Sequence, residues 1–336
     1  MHFVPPLALP SEPRSLQGPW NGLGFDHPVP RETVHKHATG EVLLTDAARL
    51  DAERFAVAAA WHRDHFLDHL GGRTSDPVLL AETARQAAIH LSHRFHEVPY
   101  GRHFVLSELA VELTGPLPAP APAPLALGLD ARCLRADRHP RRTKLELEAE
   151  VRTEHRRLGR ARVRWEVLED RRYALLRKRG TPDTGAAPAP APEPSRAVPL
   201  PPSRVGQRQD RDVLISADPA RPDRWWLRLD LDHPVLFDHP SDHIPGMALV
   251  AAFRQVALVT AADTDRYVRS LVTRFSSFGE LDLPVSVTAE RADDAGGTGR
   301  AVELLLRAEQ GGRELASARV VCALPCADRQ LAGSPC

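Results

Sequence analysis

Two stretches decide the fold: Asp76-Pro77-Val-Leu-Leu-Ala-Glu82-Thr-Ala-Arg85-Gln86 and Asp242-His243-Ile-Pro245-Gly246-Met-Ala-Leu-Val-Ala251-Ala-Phe-Arg254-Gln255. Each opens on a proline, runs through apolar residues and carries Arg-Gln at the same depth. Each follows an Asp-His loop: Asp64-His65 to Asp68-His69 in the first case, Asp232-His233 to Asp238-His239 in the second. An internal repeat constrains architecture before any single residue does, so the chain reads as two copies of one small domain. Asp76 is a good N-cap and Pro77 suits a first turn, where an N–H would go unused. This predicts a helix over 77–94, and the repeat predicts its partner over 245–262.

Working outward, strand-like runs are expected at 41–45, 104–113, 126–134, 143–154 and 161–168 in the first copy. In the second they fall at 213–216, 225–231, 268–275, 285–291, 301–308 and 314–323. Leu145 to Val151 alternates apolar and polar residues, which argues for a sheet with one wet face. One long helix followed by about four antiparallel strands is an α+β pattern. A helix as apolar all round as 247–260 must be enclosed, and a curled sheet wrapped around it does this. The expected fold is a tandem (double) hotdog. Its parts are a loosely ordered Pro/Gly-rich arm (1–30), a first domain (31–175), a Pro/Ala-rich linker (176–209), a second domain (210–326) and a tail (327–336).

The length of 336 residues suits two domains. Forty-four basic residues balance 44 acidic ones, so no electrostatic argument favours nucleic acid or an anionic membrane surface. Apolar runs stop well short of the roughly 20 residues a membrane helix needs, and no secretory leader is read. A soluble cytoplasmic protein is expected. Cys133, Cys322, Cys326 and Cys336 form neither a disulfide framework nor a zinc set. No Gly-rich phosphate loop is present. No metal, nucleotide or other cofactor is expected.

Glu82, Arg85 and Gln86 share one helix face at i, i+3 and i+4. Alone they would read as a surface ion pair worth a few tenths of a kcal/mol, but Arg254-Gln255 repeats the pattern. The same register sets Glu82 against Ala251, and Pro77 against Gly246.

Histidine, then Pro-Gly opening a helix, then an acid six residues on resembles the hotdog dehydratases that act on carrier-protein thioesters. Two such copies, preceded by Val34-His35-Lys36 and Glu41-Val-Leu-Leu-Thr-Asp46, are more closely similar to the A-factor biosynthesis (AfsA-type) hotdog proteins, over about residues 34–170 and 212–325. The resemblance implies transfer of a β-ketoacyl group from acyl-carrier protein to the hydroxyl of dihydroxyacetone phosphate, on the way to γ-butyrolactone signals. It also implies a composite site with His239 and Gly246 from the second copy and Glu82 from the first. Glu82 or His239 would be the general base, and Gly246 would offer its N–H to the oxyanion. Arg85, Gln86, Arg254, Gln255, His35 and Lys36 would bind substrate, Arg85 or Arg254 taking the phosphate. The acyl chain would run beside Leu79, Leu249 and Phe253. The other pairing, His69 with Pro77 and Ala251, lacks both the N–H and the acid, so one competent and one eroded site are expected in an intrachain pseudodimer. Whether this dimerises further is left open. A non-catalytic acyl- or lactone-binding protein, and a thioesterase or dehydratase, are the alternatives.

Overall fold

A computed structural model describes residues 16, 18–62, 76–119, 121–137, 142–180, 197–263, 265–292 and 300–325. The first copy opens with 3-10 turns at Arg31–Val34 and Thr39–Glu41. It continues through β1 (Leu44–Arg49), β2 (Arg54–Trp61), α1 (Pro77–Phe95), β3 (His103–Leu113), β4 (Leu125–Asp137), β5 (Arg142–Arg152) and β6 (Arg157–Leu168). A connecting helix, α2 (Asp170–Gly180), precedes the second copy. That copy has β7 (Val198–Pro199), turns at Pro202–Val205 and Asp210–Asp212, β8 (Ile215–Asp218), β9 (Arg221–Leu227) and α3 (Gly246–Ala261). It ends with β10 (Tyr267–Phe275), β11 (Ser286–Arg291), β12 (Ala301–Gln310) and β13 (Arg313–Ala323).

The described strands form one 13-stranded sheet. The first copy contributes β1-β2-β4-β5-β6-β3, and the second repeats the order reversed as β10-β13-β12-β11-β9-β8, with β7 added at the edge. The halves meet where β3 pairs antiparallel with β10, Leu109 opposite Thr273 and Glu108 opposite Arg274. Buried Glu108 binds Arg162 within its own copy and Arg274 across the boundary. Both long helices bury their apolar faces in a single core shared by the two copies. This is the expected double hotdog.

Four expectations need correction. Residues 18–30 are not a loose arm: Trp20 is buried, its Nε1–H donates to the Leu129 carbonyl at 3.1 Å, and Val29 joins the main core. Gly128 is required there, because a Cβ on it would lie 2.4 Å from the Trp20 ring. Leu16, Trp20 and Phe25 cover Ala56 and Ala58 on the outer face of β2. That covering explains why β2 was missed: buried on both faces, it shows a continuous apolar run rather than alternation. The second domain starts earlier than 210, since Val198 pairs with Ala217, and Val205 and Gln207 are buried. Residues 170–180 are a helix, held to the loop before α3 by Tyr173, whose hydroxyl donates to Asp242 at 2.7 Å. Arg177 joins in, donating to the Asp242 carbonyl and to Glu280. Smaller shifts place Glu41 in a turn, with β1 starting at Leu44, and end β9 at Leu227. The first Asp-His loop, with His65 and His69, lies outside the described residues, as do Cys326 and Cys336.

Candidate active site

The equivalence of the two helices is fixed by their glutamines. Gln86 accepts from the Leu43 N–H at 2.8 Å and donates to the Glu41 carbonyl at 2.8 Å. Gln255 accepts from the Leu214 N–H at 2.8 Å and donates to the Asp212 carbonyl at 2.6 Å. Both amides satisfy backbone groups that would otherwise be buried unpaired. Gln86 and Gln255 are thus occupied as stitches between helix and turn. The same superposition matches His35-Lys36 with Gly206-Gln207, and both His35 and Gly206 sit at positive φ, 55° and 68°.

Around the first copy's acid the groups converge. Glu82 is 1 % exposed and takes Arg85 side-on, Nε and Nη2 each at 2.7 Å. Gln86 donates to it at 3.0 Å, and the Lys36 ammonium stands 3.4 Å away. Burial alone would raise the Glu82 carboxyl, but Arg85, Lys36 and these hydrogen bonds override it and hold it at about 2. Glu82 is therefore an anchored carboxylate with both oxygens engaged by Arg85, Gln86 and Lys36, which leaves His239 as the other expected general base. Lys36 is itself buried, with Glu82 as its partner.

The second copy reaches into this cluster. Asp238 accepts from the N–H groups of His37 and Ala38 at 2.6 and 2.8 Å, so its loop is clamped to the first copy. His239, next in sequence, is half-exposed, with its ring 5.6 Å from that of His37. Burial and then Arg85 push its pKa below the ordinary imidazole value, with Asp238 partly opposing, so it is neutral at pH 7. His35 lies beside the same groups. Burial, His93, Arg85 and His239 together push it down to about 3. A neutral His35 cannot serve as a cationic phosphate ligand. Helix α3 begins with Pro245 as N-cap and no side-chain cap. Gly246 opens its first turn, pressed against Phe275 and Leu106, where an added Cβ would come within 3.2 and 3.5 Å. The first N–H groups of a helix have no intrahelical partner. They make this end a place for developing negative charge.

The other seam is built differently. Asp76 caps α1 by accepting from the Val78 N–H at 2.9 Å, and Pro77 has no N–H to give. Arg254 does not copy Arg85. With Ala251 in place of an acid, it turns under Gly206, donates to the Val205 carbonyl and lies 2.9 Å from Asp76 in an ionic contact. A Cβ at position 206 would be 3.1 Å from the guanidinium, so this path exists only because the residue is glycine. Arg254 is therefore spent on closing a helix end.

Sequence reasoning missed His93, Asp238 and the Asp76–Arg254 contact. Aligning Val34-His35-Lys36 with Val205-Gly206-Gln207 would have exposed two more mismatches at the same seam. In the second Asp-His loop, buried His233 is structural: its Nδ1 accepts from Val235 and Leu236, and its Nε2 lies 2.9 Å from Asp212. Leu79, Leu249 and Phe253 are buried core residues. A groove of about 730 Å³ opens on the outer sheet face, but its acids and arginines pair with one another, as in Arg54–Asp130 at 2.6 Å and Arg160–Glu112 at 2.8 Å. Cys133 and Cys322 are buried free thiols. Among the described residues no cluster of metal-ligating side chains occurs, and no helix is long and apolar enough to cross a membrane.

The sequence is similar to known proteins over most of its length. The family model described as "A-factor biosynthesis hotdog domain" matches residues 22–169 and 189–324. The chain is 34 % identical over 263 residues to a Streptomyces virginiae protein named 2-oxo-3-(phosphooxy)propyl 3-oxoalkanoate synthase, covering 78 % of this chain and 87 % of that one. It is 30 % identical over 265 residues to a Streptomyces coelicolor protein of the same name, covering 78 % and 82 %. The chain belongs to the A-factor biosynthesis hotdog family.

Proposed function

We propose that the chain is an acyltransferase that moves a β-ketoacyl group from an acyl-carrier protein, or another acyl thioester, to the hydroxyl of dihydroxyacetone phosphate, in the formation of γ-butyrolactone signals. The names of its relatives supply the substrate class. The observation that supports a one-site reading is the asymmetry of the two seams: one gathers Lys36, Glu82, Arg85, His35 and His239, and at the other Arg254 meets Asp76 with no acid on its own helix face.

At the open seam Glu82 fixes the Arg85 guanidinium through Nε and Nη2. Arg85 Nη1, which these two bonds do not use, is offered to a phosphate as a charge-assisted contact, with the Glu82-paired Lys36 ammonium adding positive charge beside it. The thioester carbonyl lies at the start of α3. There the N–H of Gly246 and its neighbour stabilise the tetrahedral oxyanion, at about 3 kcal/mol per donor. A neutral imidazole at the seam takes the hydroxyl proton, and His239 is near enough to the cluster to do so.

The test is incubation of the purified protein with a β-ketoacyl thioester and dihydroxyacetone phosphate, followed by mass analysis. Ester that needs both substrates supports transfer. Free β-keto acid, or a dehydrated product, points to hydrolysis or dehydration instead. Binding without turnover leaves a non-catalytic relative.

A further inference from the structure

Two imidazoles at the open seam are joined in a way the acyl-transfer reading has not used. His93 Nδ1 lies 2.7 Å from the Val98 carbonyl, an acceptor only, so this nitrogen carries the proton. In neutral His93 the other nitrogen, Nε2, is then bare. It lies 2.9 Å from His35 Nε2, which must therefore donate. One tautomer of His35 remains: Nε2–H bound to His93, with the Nδ1 lone pair bare. No hydrogen bond engages Nδ1 among the described residues.

Packing fixes the ring as well as the proton. His35 meets Phe104 edge-on at 4.8 Å, and His93 stacks on Tyr100 at 4.5 Å. Phe104 lies two residues along β3 from Leu106, on the same strand face, and Leu106 borders Gly246 at the start of α3. The backbone of His35 is left-handed, a conformation uncommon outside glycine. The second copy places Gly206 at this point, so the imidazole is present only at the open seam. His239, by contrast, has a 3.9 Å approach to Asp238 and a ring contact with His37, neither of which fixes its orientation.

We propose that His35 is the proton acceptor of the reaction, and that His93 is a positioning residue that holds it in the tautomer with Nδ1 bare. The inference rests on the acyl-transfer reading and deepens it, by choosing His35 over His239. Nδ1 takes the proton of the acceptor hydroxyl as the oxygen bonds to the thioester carbon, and the carbonyl electron pair moves to the oxyanion at α3. On collapse the C–S bond breaks, and the imidazolium returns its proton from Nδ1 to the departing thiolate. His35 is neutral again, and its Nε2–H stays with His93 throughout. The base and the group orienting it are both defined, and the imidazolium that burial disfavours in the free protein gains the substrate phosphate and the oxyanion as counter-charges during the step.

His35→Gly is the direct variant, because Gly206 demonstrates that glycine suits this backbone. Turnover is expected to fall by about 10²–10⁴-fold, with part of it restored by added imidazole, whereas His239→Ala gains nothing from imidazole. Unchanged turnover in His35→Gly, or rescue confined to His239→Ala, overturns the assignment. His93→Phe keeps the ring stack but removes the acceptor, and should lower kcat with KM little changed. His93→Gln, whose amide oxygen can accept the same bond, should recover part of that loss, and equal losses overturn the positioning role. Nitrogen-15 NMR of the free protein reads the tautomers without any turnover: a bare Nδ1 on His35 is expected, and a protonated Nδ1 overturns the geometry. If the unaltered protein makes no ester, the transfer reading fails and the base assignment with it, whereas a protonated Nδ1 in a protein that does make ester overturns the His35 assignment alone.

Discussion

Replacing Glu82 by alanine leaves two buried cations, Arg85 and Lys36, without their common partner. Removing one member of a buried ion pair costs about 3–5 kcal/mol. The pKa gives a second route to the magnitude. The Glu82 carboxyl sits at about 2, against an ordinary value of 4.5. At 1.36 kcal/mol per unit, its ionised form stabilises the fold by about 3 kcal/mol. A depressed carboxyl contributes fully above its unfolded pKa, so this stability is present above pH 4.5 and lost as pH falls towards 2. Glu82→Ala should therefore lower the Tm at pH 7 by about 4–7 °C, and should flatten the acid limb of the stability curve between those pH values. The second copy suggests a compensation. There Arg254, with alanine rather than an acid on its helix face, turns under Gly206, the position that His35 holds in the first copy. Adding His35→Gly should give Arg85 the same path and recover part of the loss. Thermal and urea unfolding of the two single variants and the double, at pH 7 and at pH 3, measure this. A drop under about 1 kcal/mol for Glu82→Ala, or strict additivity in the double, would refute the reasoning.

Three further outcomes are expected. Gly128→Ala should expel the Trp20 indole, costing up to about 3–5 kcal/mol. Tryptophan fluorescence should shift to the red, and combining it with Trp20→Ala should add little. Asp76→Ala removes a helix cap and the ionic partner of Arg254. Losing the cap alone should cost about 1 kcal/mol of stability, read as a lower Tm, yet ester formation should stay within about threefold, as sampled by kcat/KM. Burial pushes the thiol of Cys133 up to about 12 and that of Cys322 up to about 11. Alkylation at pH 8, mapped by mass, should spare both until the protein unfolds.

The repeat of Pro-led apolar helices made the fold readable, because it revealed two identical packing problems. Strands with one wet face announced themselves by alternation, as Leu145 to Val151 did. β2 did not, since Trp20 comes from 36 residues upstream of the Ala56 it covers and hides the outer face that would have been polar. At the candidate site the residues could be named from the sequence, but their contacts could not. Glu82 and Arg85 lie on one helix face, as their spacing required, yet only the bidentate geometry reveals that the acid anchors the guanidinium. The glutamines carried a repeat that was architectural: each satisfies a turn 41 to 45 residues upstream. His93 has no motif of its own, and its part emerges only when a carbonyl fixes which nitrogen bears the proton.

The proposal of one competent site per chain, built from both copies, meets its sharpest test in the binding stoichiometry of a non-hydrolysable β-ketoacyl thioester analogue together with the phosphate acceptor, read by calorimetry and native mass spectrometry. One of each per chain is expected, with binding lost in Arg85→Ala and retained in Arg254→Ala. Two equivalents per chain, or loss of binding in Arg254→Ala with none in Arg85→Ala, would contradict it.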